Sequence, residues 1–316
     1  MKHTTRNKLV LLATIFMGFA MTHSVAHGQS PFSETEADRI GTAAETSATL
    51  KDGVVRISLA RDDVKVTVDG MPLKPFAGLG SWAAFTKTPH GAMVMGDTVV
   101  FQDEVTPAMD AAFSHGLEVT ALHNHFFFDE PKVYFMHIGG RGNPEALAKG
   151  VKAVWDAIKI VRSKTGQPAK RFPGETPDGA NTISKAEVER IVGHEAQAKD
   201  GVVKISIGRE GKMHGVPIGG AMGLGTWAAF SGSDDLATVD GDFIMTAPEV
   251  QSVLKTLRKH EIHIVALHNH MIGEEPTFYF THYWGKGMAE ELATAIRAAL
   301  DAQQAAKDAH SHKEAR

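Results

Sequence analysis

From Val64 the chain alternates Val-Lys-Val-Thr-Val before Asp69-Gly70, a period of two that predicts a strand with one buried face entering a turn. "VVRISL" at Val54, "SWAAF" at Ser81 and "DTVVF" at Asp97 read as further strands. "LEVTAL" ending at Leu122 reads as a buried strand, and "KVYFMHI" from Lys132 as another. Between them the period changes. Residues 104–115 place Val105, Met109, Ala112 and Phe113 on one helical face. Pro144 opens "PEALAKGVKAVWDAIKI", where proline suits the first turn of a helix. Ser33 with Glu36, and Ser184 with Glu187, have the spacing of capping boxes and predict two more helix starts. The second half of the unit reads β-α-β-β-α. That order predicts an α+β fold, a layered sheet with helices packed on it, with the β-α-β portion pairing in parallel through a right-handed crossover.

The pattern occurs twice. "GLGSWAAF" at Gly78 returns as "GLGTWAAF" at Gly223, and "DGVVRISL" at Asp52 as "DGVVKISI" at Asp200. From Gly78 to Gly142 the two copies stay 145 positions apart without a gap. The chain is therefore read as two tandem homologous repeats, residues 29–162 and 184–302, joined by a Pro- and Gly-rich linker over 163–183. A polar tail, 303–316, is expected to fray.

Residues 1–28 belong to neither repeat. Lys2, Arg6 and Lys8 precede an uncharged apolar run from Leu9 to Ala20, and small residues follow at Ser24, Ala26 and Gly28. This is the pattern of a cleaved signal peptide and predicts a periplasmic or secreted protein, free of the membrane once cleaved. With no cysteine, the chain has no disulfide, thiolate ligand or site for a lipid anchor. Its net charge is −4, and the signal segment holds three of the basic residues and no acidic one. That acidic balance argues against nucleic acid as a partner.

Six of the 17 histidines fall in the two most similar stretches, "LHNHFFFDEPKVYFMHIGGRG" from Leu122 and "LHNHMIGEEPTFYFTHYWGKG" from Leu267. His123 and His125 are two apart on a strand and share a face. A hairpin centred near Pro131 would set His137 opposite His125, with Glu130 in the connection. The second repeat supplies His268, His270, Glu275 and His282 at the same places. Three imidazoles and a carboxylate suit a divalent transition metal (Zn, Cu, Mn, Fe or Ni) better than Mg or Ca. Histidines that only bond backbone groups are the plainer reading, but nearby residues drift between the copies while these recur. The spacing differs from His-x-His-x10-Asp, which would need aspartate at Met136, and the intervening helices differ from a cupin barrel. Beyond each last histidine, Gly140-Arg141-Gly142 and Gly285-Lys286-Gly287 are expected as turns feeding a helix N-terminus, where a small anionic ligand could sit. The same glycines would also serve a plain tight turn. Asp97 and Asp242 follow glycines and read as turn residues. Glu104 and Glu249 suit the start of a helix and are assigned no chemistry.

With "EVTALHNH", "EP", "YFMHIGGRG" and "LARDDVKVTVDG" in view, the chain resembles the LppY/LpqO family of exported bacterial proteins across both repeats. The named mycobacterial members of that family look like lipoproteins, and this chain lacks the necessary cysteine. In the second repeat "GREGKMHGVPIGG" replaces "LARDDVKVTVDGMPLKP", so the two sites need not be equivalent. The resemblance supplies no activity. The histidines support an exported metal-binding protein, with metal-dependent hydrolysis of a small anionic substrate as the most economical chemistry. A metal buffer or carrier without turnover, and an interaction protein with structural histidines, are the alternatives.

Overall fold

A computed structural model describes residues 30–177, 179 and 181–314; the expected signal segment lies outside the described residues. In chain order the first repeat forms α1 (Glu34–Ala43), β1 (Ala48–Lys51), β2 (Val54–Ala60), β3 (Val66–Val68), β4 (Met71–Leu73), β5 (Gly80–Thr88) and β6 (Gly91–Phe101). It continues through α2 (Val105–Ser114), β7 (Glu118–His123), β8 (Asp129–Glu130), β9 (Val133–Gly142) and α3 (Pro144–Thr165). The second repeat follows the same plan. Its first half is α4 (Lys185–Val192), β10 (Ala196–Lys199), β11 (Val202–Gly208), β12 (Gly211–Met213), β13 (Val216–Ile218), β14 (Gly225–Gly232) and β15 (Ala237–Met245). The rest is α5 (Ala247–Lys259), β16 (His263–His268), β17 (Glu274–Glu275), β18 (Tyr279–Gly287) and α6 (Ala289–Glu314).

Twelve of these strands form one sheet, in the order β1-β2-β5-β6-β9-β7-β16-β18-β15-β14-β11-β10. The second six repeat the first six in reverse, so a pseudo-twofold axis passes between β7 and β16. Every named pairing is antiparallel, which corrects the expected parallel β-α-β pair. β6 and β7 do run in the same direction on either side of α2, but β9 inserts between them and pairs with both. The hairpin return of β9 satisfies both edges at once, so the crossover is split.

Alternation along the strands sets two different faces. Ala92, Val94, Val100, Leu122, Met136 and Ile138 point to one side, and residues of all the helices pack there in a single core that runs through both repeats. Val99, Phe101, Val133 and Phe135 point to the other side. There the small sheet β4-β3-β8 covers them, and β13-β12-β17 covers Ile244, Phe278 and Phe280 in the second repeat. The tight hairpins β1-β2 and β10-β11 turn at Asp52-Gly53 and Asp200-Gly201, each pair with both φ values positive, as a two-residue turn of this hand requires.

The predicted capping box at Ser33 is formed: Glu36 N–H faces Ser33 Oγ, and Ser33 N–H donates to Glu36 Oε2 at 2.8 Å. Ser184 caps α4, but Glu187 turns to Arg190 instead of closing a box. Between the repeats the linker touches both, with Ala169 N–H donating to Asp103 and Lys286 Nζ to the Pro173 carbonyl. The segment expected to fray continues α6 to Glu314, because Gln303 is anchored to the Ile244 carbonyl at 2.6 Å and to Glu249 at 3.0 Å.

Glu104 and Glu249 prove to be the polar pins of the fold. Glu104 is fully buried and meets Arg61 through two parallel hydrogen bonds of 2.8 and 2.9 Å, while accepting from Phe101 N–H at 2.9 Å. Glu249 meets Arg209 in the same way, at 2.6 and 2.7 Å. Each pair ties the strand leaving the hairpin to the start of the helix after the long strand, and the bidentate geometry satisfies charges that burial would otherwise penalise.

Candidate metal centre

The histidines stand on the face opposite the helices. β7 ends at His123, which pairs with Phe135, while His137 pairs with Ala121 on one side and Asp97 on the other. His137 is thus not opposite His125, as a simple hairpin at Pro131 would have it. The short strand β8 and a bulge at Thr120 lengthen the connection and shift the register. His125 lies beyond the strand. Asn124 donates its side-chain N–H to the Phe126 carbonyl at 3.0 Å, and Asn269 does the same to Met271 at 2.8 Å. This local bond folds the turn back, and the ring of His125 stacks on Phe135 with centroids 3.4 Å apart; His270 stacks on Phe280 at the same distance. The repeated His-Asn-His is therefore two side-chain positions held by one turn-forming asparagine.

In the first repeat the rings of His123 and His125 are 5.0 Å apart and those of His123 and His137 are 5.1 Å apart. The Nε2 atoms of His123 and His125 approach to 3.1 Å. In the second repeat His268, His270 and His282 converge so that one donor nitrogen from each lies within 4.8 Å of the others. All three are partly open to solvent, and the side chain of His282 is 43% exposed.

Beneath each triad is a carboxylate that sequence reasoning placed elsewhere. Asp97 and Asp242 are not turn residues: they lie within β6 and β15, as cross-strand partners of His137 and His282. Both are buried. Asp97 Oδ1 is 3.8 Å from His137 Nε2, and Asp242 is 3.6 Å from His270 Nε2 and 4.0 Å from His282 Nδ1. The preceding glycines serve packing. A Cβ at Gly96 would meet the Trp82 carbonyl at 2.8 Å, and one at Gly241 would collide with Tyr283. The alternation Met93-x-Met95-x-Asp97-x-Val99-x-Phe101 was the available signal that the strand extends through Asp97.

Glu130 and Glu275 do not join these groups. Both are exposed, on β8 and β17, where they pair with Thr67 and Lys212 in the small covering sheets. Their neighbours Asp129 and Glu274 point inward and accept backbone N–H bonds from Val133 at 2.7 Å and Phe278 at 3.0 Å. The Gly-Arg/Lys-Gly segments do not form turns at a helix start either. Gly140, Arg141 and Gly142 pair with β6, and Gly285, Lys286 and Gly287 with β15, so their backbone groups lie within strands. A Cβ at Gly140 would stand 3.0 Å from Leu117 and Leu147, and one at Gly285 2.4 Å from Ile262. These glycines let α3 and α6 approach the sheet.

Burial holds three of the imidazoles in their neutral form and disfavours the charged form of Asp242. Burial lowers the pKa of His123, with His137 and His125 adding to the effect, and burial likewise lowers that of His125. Burial and then its two imidazole neighbours lower that of His270. Burial raises the pKa of Asp242 while His282 and His268 oppose the rise. Oδ1 of Asp97 and Oδ1 of Asp242 accept no hydrogen bond from the described residues, a costly state for a buried carboxylate oxygen. A cation among the imidazoles would relieve it. Two ligands held 2.0–2.1 Å from one ion stand about 3 Å apart, the spacing His123 and His125 already show at 3.1 Å.

A family model described as Domain of Unknown Function (DUF1259) matches residues 38–157 and 186–302. No curated protein matches the chain significantly. Among solved structures, the trimeric bacterial microcompartment shell protein PduB is 10% identical and the match covers 81% of this chain and 89% of that one, with a TM-score of 0.19. The double-ringed trimeric shell protein MSM0271 from the RMM microcompartment is 13% identical, with 79% and 94% covered and a TM-score of 0.18. Similarity at that level carries no argument about fold or function. With both repeats matched over most of their length, the chain belongs to the Domain of Unknown Function (DUF1259) family.

Proposed function

We propose that the chain is an exported protein that binds a divalent transition metal at two pseudo-equivalent sites. One is His123, His125, His137 and Asp97; the other is His268, His270, His282 and Asp242. The observation that carries this reading is the convergence of His268, His270 and His282 over buried Asp242, whose Oδ1 accepts no hydrogen bond from the described residues. The same positions of the first repeat set His123 against both His125 and His137, with Asp97 beside His137. Imidazoles with one carboxylate favour Zn, Cu, Mn, Fe or Ni over hard cations. The solvent-facing side of each triad leaves room for a water or a substrate oxygen, so metal-assisted hydrolysis of a small oxyanion is the reaction class the donor set supports. The aspartates take the role that the sequence suggested for Glu130 and Glu275.

Elemental analysis of tag-free protein, beside the His125→Ala/His270→Ala double variant, tests the reading. One or two equivalents of a transition metal, lost in the folded variant, are expected. Folded wild-type protein that is metal-free and takes up no Zn, Cu or Mn on titration would overturn it.

A further inference from the structure

The junction between the repeats sets the two sites side by side. Leu122 of β7 pairs with Leu267 of β16, so the flanking positions bring Ala121 alongside His268 and Ala266 alongside His123. Ala121 is also the cross-strand partner of His137, and Ala266 that of His282. Across the open face one row of neighbours therefore reads Asp97, His137, Ala121, His268. The symmetry-related row reads Asp242, His282, Ala266, His123. Between the triads the floor is two half-buried alanines.

One triad is centred over β7 and β9 and the other over β16 and β18, two strand spacings apart, or about 10 Å. A single bridging oxygen requires ions roughly 3.5–4 Å apart, so the sites do not form a dinuclear cluster of that kind. They are near enough for one small molecule to touch both. Charge points to its chemistry: three neutral imidazoles and one carboxylate leave a divalent ion with one net positive charge, matched by one anionic oxygen donor.

Resting on the metal reading above, we infer that the two sites act as one receptor for a small molecule carrying two carboxylate groups, one bound at each ion. With metal–oxygen bonds of about 2 Å, the donor oxygens must stand roughly 6 Å apart, the reach of an extended adipate and beyond that of malonate. Tethering makes the second contact intramolecular, which raises affinity without any new contact.

The test uses the full protein reconstituted with zinc, freed of excess metal, and analysed for zinc before isothermal titration with acetate, malonate and adipate. One adipate per chain is expected, bound at least about 10-fold tighter than acetate or malonate. His125→Ala and His270→Ala, each retaining one zinc, should lose that advantage. Two zinc ions per chain with adipate no tighter than acetate, or with two adipates bound, would overturn the joint receptor and leave the metal sites standing. Fewer than two zinc ions per chain would overturn the joint receptor, whereas the metal reading falls only if Cu and Mn are refused as well, and the elemental analysis tells these failures apart.

Discussion

Asp242 and His282 face each other across β15 and β18, the carboxylate buried and its Oδ1 4.0 Å from the ring Nδ1. That separation is too long for a hydrogen bond and leaves the oxygen free to face a cation. Asp242→Asn keeps the volume and removes the charge. Metal affinity at the second site should fall by roughly 10-fold or more, read by competition against a chromophoric chelator. Equal affinity in the variant would mean that Asp242 does not face the ion.

The lowered pKa values of His123, His125 and His270 give a signed pH dependence. An unfolded histidine takes its proton near pH 6.5, whereas these folded ones resist it to lower pH. As pH falls through 6.5 the unfolded chain binds more protons, so their contribution to stability, complete above that pH, declines until the folded groups titrate in turn. Melting temperature measured without metal between about pH 7.5 and pH 5 should drop less steeply in the His125→Ala/His270→Ala variant than in wild type. Parallel curves would contradict the assignment.

The two glutamate pins should differ. Arg61, with 3% of its side chain exposed, is sealed with Glu104, whereas the Arg209 side chain is 21% exposed beside Glu249. Glu104→Ala removes the carboxylate shared by the buried guanidiniums of Arg61 and Arg162, leaving them only Asp63 and Asp103 as acidic partners, and should cost about 3–5 kcal/mol in denaturant unfolding. Glu249→Ala should cost less, since water reaches Arg209. Comparable losses would show that solvent access does not decide the penalty here.

Much of the architecture was legible from the chain. The duplication, the long helices and the strands leading into His123 and ending after His137 follow from periodicity, because burial on one face dictates it. The pairing of β9 between β6 and β7 was not legible, since hydrophobic alternation says which face a strand buries and nothing about its neighbours. The same gap misplaced the carboxylates. Glu130 is close to His125 in sequence, but its side chain belongs to the small covering sheet; Asp97 is distant in sequence and reaches His137 only through β6–β9 pairing. Glycines misled in a related way, because a glycine kept for close helix packing looks in sequence like one kept for a turn.

That distinction is testable at Gly140 and Gly285. Neither has a positive φ, so alanine is tolerated by the backbone and the cost is steric. At Gly140 the nearest atoms are leucine methyls at 3.0 Å, able to yield; at Gly285 the Ile262 methyl is at 2.4 Å and Leu292 at 2.9 Å. Gly285→Ala should cost about 1–3 kcal/mol by overpacking, and Gly140→Ala less. Metal content should be unchanged in both.

Finally, the two repeats should unfold as one unit. Their sheets join at Leu122 and Leu267, and the helices add contacts across the same axis: Arg258 grips Asp110 at 2.8 and 3.0 Å, and Gln251 bonds both the N–H and the carbonyl of Val119. The core beneath is continuous through both halves. Neither repeat can open at the axis without exposing Leu122, Leu267 and the unpaired edge of its own central strand, which couples the two halves more strongly than a linker alone would. Calorimetry should therefore show one transition whose calorimetric and van't Hoff enthalpies agree. Leu122→Ala should lower that single transition by about 2–5 kcal/mol without splitting it. Two resolved transitions in the wild-type protein would mean that the strand bridge at the axis is too weak to couple the repeats, and the two histidine clusters would then lose their shared floor.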